Sequence, residues 1–170
     1  MIAELDRLAE HLLGRVCVVG IGNRLAGDDG AGSVVAERLA GRLAGRVIDA
    51  GIAPENHLEP IVRDEPDTIL LVDAVDFGVE PGSVRLLDAR ALATGGLSTH
   101  ATSLAMIHDY LGARSAAGAV LIGIQPGHLR LGSALSEEVA GAVEAVASRL
   151  AELLGPEVGL GDKFATTIGE

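Results

Sequence analysis

Aromatic side chains are nearly absent from this chain, with two phenylalanines, one tyrosine and no tryptophan among 170 residues. Hydrophobic residues still make up 48% of the total, so the core must be aliphatic, built from Leu, Val, Ile and Ala, and a chain of this length can bury one of useful size. A single cysteine, Cys17, excludes an internal disulfide. It stands in the apolar run Val16-Cys17-Val18-Val19, which predicts a buried, inert thiol. Basic residues are scarce as well: 13 Lys and Arg against 24 Asp and Glu leave a net charge of −11. That field repels phosphate backbones and anionic lipid, which argues against nucleic-acid and membrane-surface roles. It keeps a cytosolic protein dispersed, and it suits a cationic partner or a metal ion. No stretch of about 18 uncharged apolar residues is present, so no transmembrane helix is expected. The opening MIAELDRLAEHLLG carries acids throughout and does not read as a secretory leader. Together these absences predict a reducing cytoplasm.

The chain does have abundant glycine, 23 residues with no fixed period, which implies many tight turns and no solenoid or collagen-like repeat. Short apolar runs alternate with helical patterns, the mark of an α/β fold with a mostly parallel sheet. Strands are predicted over 15–21, 46–49, 68–72, 83–87 and 119–124. Three of them (VCVVGI, TILLVDAV and AVLIGI) are apolar runs of the kind covered by helices on both faces, which gives a three-layer α/β/α sandwich. Helices are predicted over 5–13, 30–43, 55–63 behind Pro54, 101–111 and 136–154. The last has Val139, Val143, Val146, Leu150 and Leu153 at helical spacing behind Ser136 as N-cap and two first-turn acids. Residues 1–155 are expected to form one domain, and 156–170, which lack periodicity, a flexible tail.

In an open α/β sheet, ligands bind beyond the carboxyl ends of the strands. There the chain places Gly20-Ile21-Gly22-Asn23 and Asp28-Asp29-Gly30 after the first strand, and Asp73-Ala74-Val75-Asp76 at the third. Ser98-Thr99-His100 follow the fourth, and Gln125-Pro126-Gly127-His128 the fifth. The glycines suggest a dinucleotide loop, but Leu25 stands where G-x-G-x-x-G needs glycine, and two carboxylates at the helix start would repel a pyrophosphate. A P-loop and a G-x-S-x-G elbow are also missing. Asp28 and Asp29 diverge by about 100° around a helix start. Asp28 is expected to cap backbone donors near that start or in the glycine loop, where asparagine would serve almost as well. Asp29 then points into the cleft. Asp73 ends a buried strand, where a carboxylate needs a metal, a histidine or backbone donors. With His100 they make two carboxylates and an imidazole, a set that suits a borderline divalent ion such as Ni²⁺ or Zn²⁺. His57 and His128 lie on loops near the same edge, His108 is expected at the surface, and His11 is expected to play no part.

Taken in order, Gly20-Ile21-Gly22-Asn23 and Gly27-Asp28-Asp29-Gly30-Ala31-Gly32 resemble the G-x-G-N-x-x-x-x-D-[DE]-G-x-G signature of the hydrogenase maturation endopeptidases. The resemblance continues through Ala53-Pro54-Glu55-Asn56, Leu70-Leu71-Val72-Asp73-Ala74-Val75-Asp76, Pro81-Gly82, Ser98-Thr99-His100 and Gly123-Ile124-Gln125-Pro126, spanning residues 15–154. The Ala-Pro-Glu-Asn and Gly-Ile-Gln-Pro segments are similar above all to the branch serving hydrogenase-3 and coenzyme F420 hydrogenases. The resemblance implies a twisted five-stranded sheet between helices, a phosphorylase/hydrolase-like fold. It also implies an endopeptidase that removes a C-terminal extension from a nickel-loaded [NiFe] hydrogenase large-subunit precursor. Asp29, Asp73 and His100 would be both its catalytic and its metal-facing residues. The nickel would belong to the precursor, with zinc or cadmium able to stand in for it in a crystal. Whether the metal or an aspartate drives the cleavage stays open at this level. A monomer is expected. The competing reading is a metal-responsive binding or chaperone-like module of the same fold without peptidase activity.

Overall fold

The computed structural model describes residues 2–88, 100, 104, 106–107, 109–110 and 118–156. The expected tail beyond Pro156, the Gly95-Gly96 loop, Ser98-Thr99, His108 and parts of the helix expected at 101–111 lie outside the described residues. Five strands form one sheet: β1 (Val16–Ile21), β2 (Arg46–Gly51), β3 (Thr68–Ala74), β4 (Val84–Asp88) and β5 (Gly118–Ile124). Their spatial order is β2-β1-β3-β5-β4. All neighbours are parallel except β4, which runs antiparallel to β5 at the edge, with Val84 opposite Ile124. The described helices are α1 (Ile2–Arg7), α2 (Ala31–Leu39), α3 (Leu58–Val62) and α4 (Glu137–Leu154). Among the described residues no helix is long and apolar enough to cross a membrane.

The three central strands are apolar on both sides because each side meets a helix layer. Alternation along the strands divides their residues between two cores. Val16, Val18, Leu70, Val72, Ile122 and Ile124 pack with Val35 and Leu39 of α2 and with Val139, Val143, Val146 and Leu150 of α4. Cys17, Val19, Ile69, Leu71 and Leu121 face the other way, against Ile61 of α3 and the helical residues Leu104 and Ile107. The sandwich therefore has three layers, as the apolar runs predict. Burial in the second core pushes the Cys17 thiol up to about 11, consistent with an inert sulfur.

Three expectations change at helix ends. The helix expected at 55–63 opens as a 3₁₀ turn over Pro54–His57 and is α-helical only over Leu58–Val62. The helix expected at 5–13 gives way to 3₁₀ geometry over Leu8–His11. The one expected at 30–43 stops at Leu39, because Gly41 takes φ +71° and turns the chain back toward β2.

Backbone packing is closest where α2 crosses β1 and β3. A Cβ on Gly32 would run into the carbonyl oxygens of Val72 and Ile21, and one on Gly20 would meet the Gly32 carbonyl. The glycines at these positions let the helix start rest directly on the strand ends. Gly32→Ala should therefore lower stability by about 1–3 kcal/mol through overpacking. Gly141, exposed within α4 with nothing near its missing Cβ, is the matched control. Gly141→Ala should raise stability by about 0.5–1 kcal/mol. Urea unfolding of the two variants checks both signs.

Candidate functional site

The strand order reverses at β1: the chain leaves it for β2 on one side and returns to β3 on the other. Such a switch opens a crevice at the carboxyl ends of β1 and β3. Asp29 stands beyond β1 in the 3₁₀ turn Gly27–Gly30, and Asp73 is the penultimate residue of β3. His100 reaches the same place from the helical segment that follows it, its carbonyl taking the Leu104 N–H at 2.9 Å. Leu104 and Ile107 anchor that segment in the second core. All three side chains are buried.

His100 Nδ1 lies 3.2 Å from Asp73 Oδ1, which also accepts the Ala74 N–H at 2.8 Å. The carboxylate at the strand end thus has both a histidine and a backbone donor. Burial disfavours the imidazolium, but the hydrogen bond to Asp73 and the charges of Asp73, Asp29 and Glu55 outweigh it and raise the His100 pKa. Asp29 and Glu55 therefore act on the same ring. The meeting is electrostatic and does not form a finished cage: among the described residues no three His, Cys, Asp or Glu side chains are grouped to hold one ion.

The turn that presents Asp29 is fastened on three sides. Gly22 N–H donates to the Gly51 carbonyl at 2.9 Å, joining it to the end of β2, and Asn23 N–H donates to the Asp29 carbonyl at 3.1 Å. Arg24 reaches from the turn to Glu37 at 2.6 Å and to Asp49 and the Ser33 carbonyl at 2.8 Å each. The third fastening is Asp28. Its Oδ2 accepts the Gly127 N–H at 2.8 Å, the His128 N–H at 3.0 Å and the Ser136 hydroxyl at 2.9 Å, while Oδ1 accepts the Ser136 N–H at 2.6 Å. Asp28 does accept backbone donors, but not those expected near its own helix start or in the glycine loop: they belong to the loop after β5 and the start of α4. Ser136 precedes α4 as expected but makes no side-chain cap bond, because its hydroxyl is committed to Asp28.

A matching lock lies across the crevice. Gln125, buried at the end of β5, accepts the Phe77 N–H at 2.6 Å and donates to Asp76 at 3.0 Å. That bond, together with the Gly78 N–H, lowers the Asp76 pKa.

A family model for hydrogenase maturation proteases matches residues 34–153. The chain belongs to that family. The matched stretch holds Asp73 and His100 and leaves Asp29 before it. The chain is 36% identical over 133 residues to the hydrogenase 3 maturation protease of Escherichia coli, covering 76% of this chain and 85% of that one. It is 32% identical over 87 residues to the delta subunit of the coenzyme F420 hydrogenase of Methanothermobacter thermautotrophicus, covering 47% and 55%. The crystal structure of a [NiFe] hydrogenase maturation protease from Thermococcus kodakarensis superposes with a TM-score of 0.80 at 33% identity, over 86% of this chain and 97% of that one. The chain is thus a hydrolase of the endopeptidase class, and the reading as a binding module without activity gives way.

In this maturation protease the structure brings Asp29, Asp73 and His100 to one crevice and adds two residues that the sequence did not single out. Glu55 acts electrostatically on the His100 ring and was visible only as a letter of the Ala-Pro-Glu-Asn segment, and Arg24 ties the Asp29 turn to β2 and α2. Gln125, placed by the sequence at the end of the fifth strand, holds the loop after β3. Of the other described histidines near this edge, His128 joins the site through its backbone N–H to Asp28. His57 precedes α3, and the His128 ring lies against Gly27, its Nδ1 buried without a partner among the described residues.

Asparagine cannot replace Asp28 in this setting. Four donors point at two oxygens, and the amide NH₂ of an asparagine would face at least one of them. Asp28→Asn should lower stability by about 1–3 kcal/mol. Burial opposes the Asp28 charge, but the four hydrogen bonds together overcome it and hold the pKa below the ordinary value. The stabilisation is therefore complete above the unfolded-state pKa of about 3.9 and disappears as pH falls through the lower folded-state value. Unfolding titrations should show the gap between wild type and Asp28→Asn at pH 7 closing at acid pH.

Proposed function

We propose that this protease removes a C-terminal extension from the large-subunit precursor of a [NiFe] hydrogenase, and that Asp29, Asp73 and His100 face nickel already bound in that precursor. The observation that carries the reading is the buried Asp73–His100 pair with the Asp29 charge beside it, at the switch point of the sheet in a member of the maturation protease family. Nickel enters as part of the substrate. Two carboxylates and an imidazole are donors that a borderline divalent ion accepts, and the lack of a finished cage is in keeping with a site that the precursor completes. An ion shared by both proteins adds binding energy that an empty precursor lacks, so loading and cleavage are coupled. Hydrolysis adds hydroxide to the scissile carbonyl carbon and a proton to the departing amide nitrogen. The reading puts the enzyme in the cytoplasm, acting as a monomer.

Incubation of the purified protease with nickel-loaded precursor should release the extension with turnover. Empty precursor, and a free peptide spanning the cut, should remain intact. Asp29→Asn, Asp73→Asn and His100→Ala should each reduce cleavage by about a hundredfold or more, with circular dichroism confirming that the variants are folded. Efficient metal-free cleavage of the peptide would sink the nickel-recognition reading.

A further inference from the structure

Large apolar side chains exposed among the described residues are concentrated at one end of the sheet. Leu25 is 70% exposed, Ile52 63% and Leu131 81%, with Leu129 beside them in the chain. They occupy three loops that follow β1, β2 and β5, and hydrogen bonds join these loops into one arc. Gly22 N–H to the Gly51 carbonyl, at 2.9 Å, links the Leu25 turn to the Ile52 loop, and Gly132 N–H to the Leu25 carbonyl, at 2.7 Å, links it to the Leu131 loop. Asp28, bonded to Gly127, His128 and Ser136, holds that last loop in place. Leu25 lies in the very turn that presents Asp29, so the arc borders the crevice.

Two of the three loops of this arc differ in charge from the rest of the molecule, while the third, after β2, carries Glu55. The protein carries −11, yet segments 22–27 and 126–136 contain no acid, and their charged residues are Arg24 and Arg130. Arg24 is engaged with Glu37 and Asp49, which leaves Arg130, exposed on the loop between Leu129 and Leu131, to face outward. An apolar surface this open, in loops that are fixed in place, is the kind that seats a partner protein.

We infer that Leu25, Ile52, Leu129 and Leu131, with Arg130 among them, form the docking surface for the precursor, meeting an apolar patch on it that carries a carboxylate opposite Arg130. The assignment of the occupant rests on the function proposed above. Contact there brings the precursor over the crevice while the acids behind it stay buried.

The test is steady-state cleavage of nickel-loaded precursor by Leu25→Ser, Leu131→Ser, their double variant and Arg130→Glu, together with titration of the precursor's binding. Leu13→Ser is the control. Leu13 is 67% exposed but lies at the opposite end of the sheet, bonded to Thr68 at the start of β3. The double variant should raise KM and the precursor Kd about tenfold, with kcat retained at saturation. Arg130→Glu should weaken binding most at low salt. Leu13→Ser should match wild type. Unchanged KM and Kd in the double variant, or a loss equalled by Leu13→Ser, would overturn the docking surface. Failure of the wild type to cut the precursor would instead overturn the proposed function, and the binding titration would still report on the surface.

Discussion

The buried Asp28 carboxylate takes hydrogen bonds from the loop after β5 and from the residue that opens α4, and in doing so it ties two distant parts of the chain to the turn carrying Asp29. A carboxylate out of water is unfavourable unless its oxygens are satisfied, and here each oxygen is. The two neighbours in Asp28-Asp29 share a sequence context yet divide the work: one builds the crevice and the other lines it. This division is possible because consecutive residues in a tight helical turn leave it in different directions.

The same turn explains a motif that imitates a nucleotide loop. Its glycines bring backbones together, Gly32 against the carbonyls of Val72 and Ile21 and Gly20 against Gly32, so α2 begins almost in contact with the strand ends. In a dinucleotide-binding loop comparable closeness leaves helix N–H groups aimed at phosphate. Here the turn Gly27–Gly30 fills that position with Asp28 and Asp29, and the field at the helix start is reversed. The geometry is shared with phosphate loops, whereas the ligand sign is opposite.

Strands were legible in the sequence to within two residues or so at most ends, because apolar runs flanked by turns admit few other readings in an α/β chain. What escaped was set by contacts distant in the chain. The antiparallel direction of β4 leaves no mark in five residues. The early end of α2 depends on Gly41, a single residue within a pattern that otherwise continues to Leu43. Ser136 reads as an N-cap by every local criterion and stands at that position, but Asp28, more than a hundred residues earlier, takes its hydroxyl. Asp73 and His100 were placed together by strand-end reasoning and are hydrogen bonded, while the charge of Glu55 acts on the ring from a segment whose role no spacing rule disclosed.

Charge is arranged in depth at this end of the protein. The outer arc is apolar and carries Arg130, whereas three acids lie behind it, with Asp28 and Asp73 fully buried and Asp29 nearly so. In water an exposed pair of carboxylates would attract any free cation, but weakly and with little choice among them, because salt and solvent screen such sites. Withdrawn into the crevice, the same groups are less screened by solvent, and His100 is an internal partner for Asp73. On the proposed reading a cation gains from them only by displacing that internal pairing, and it does so best when carried by the precursor that covers the arc. Selectivity of that kind would need no deep pocket for a particular side chain, in keeping with an aliphatic protein that has almost no aromatic residues.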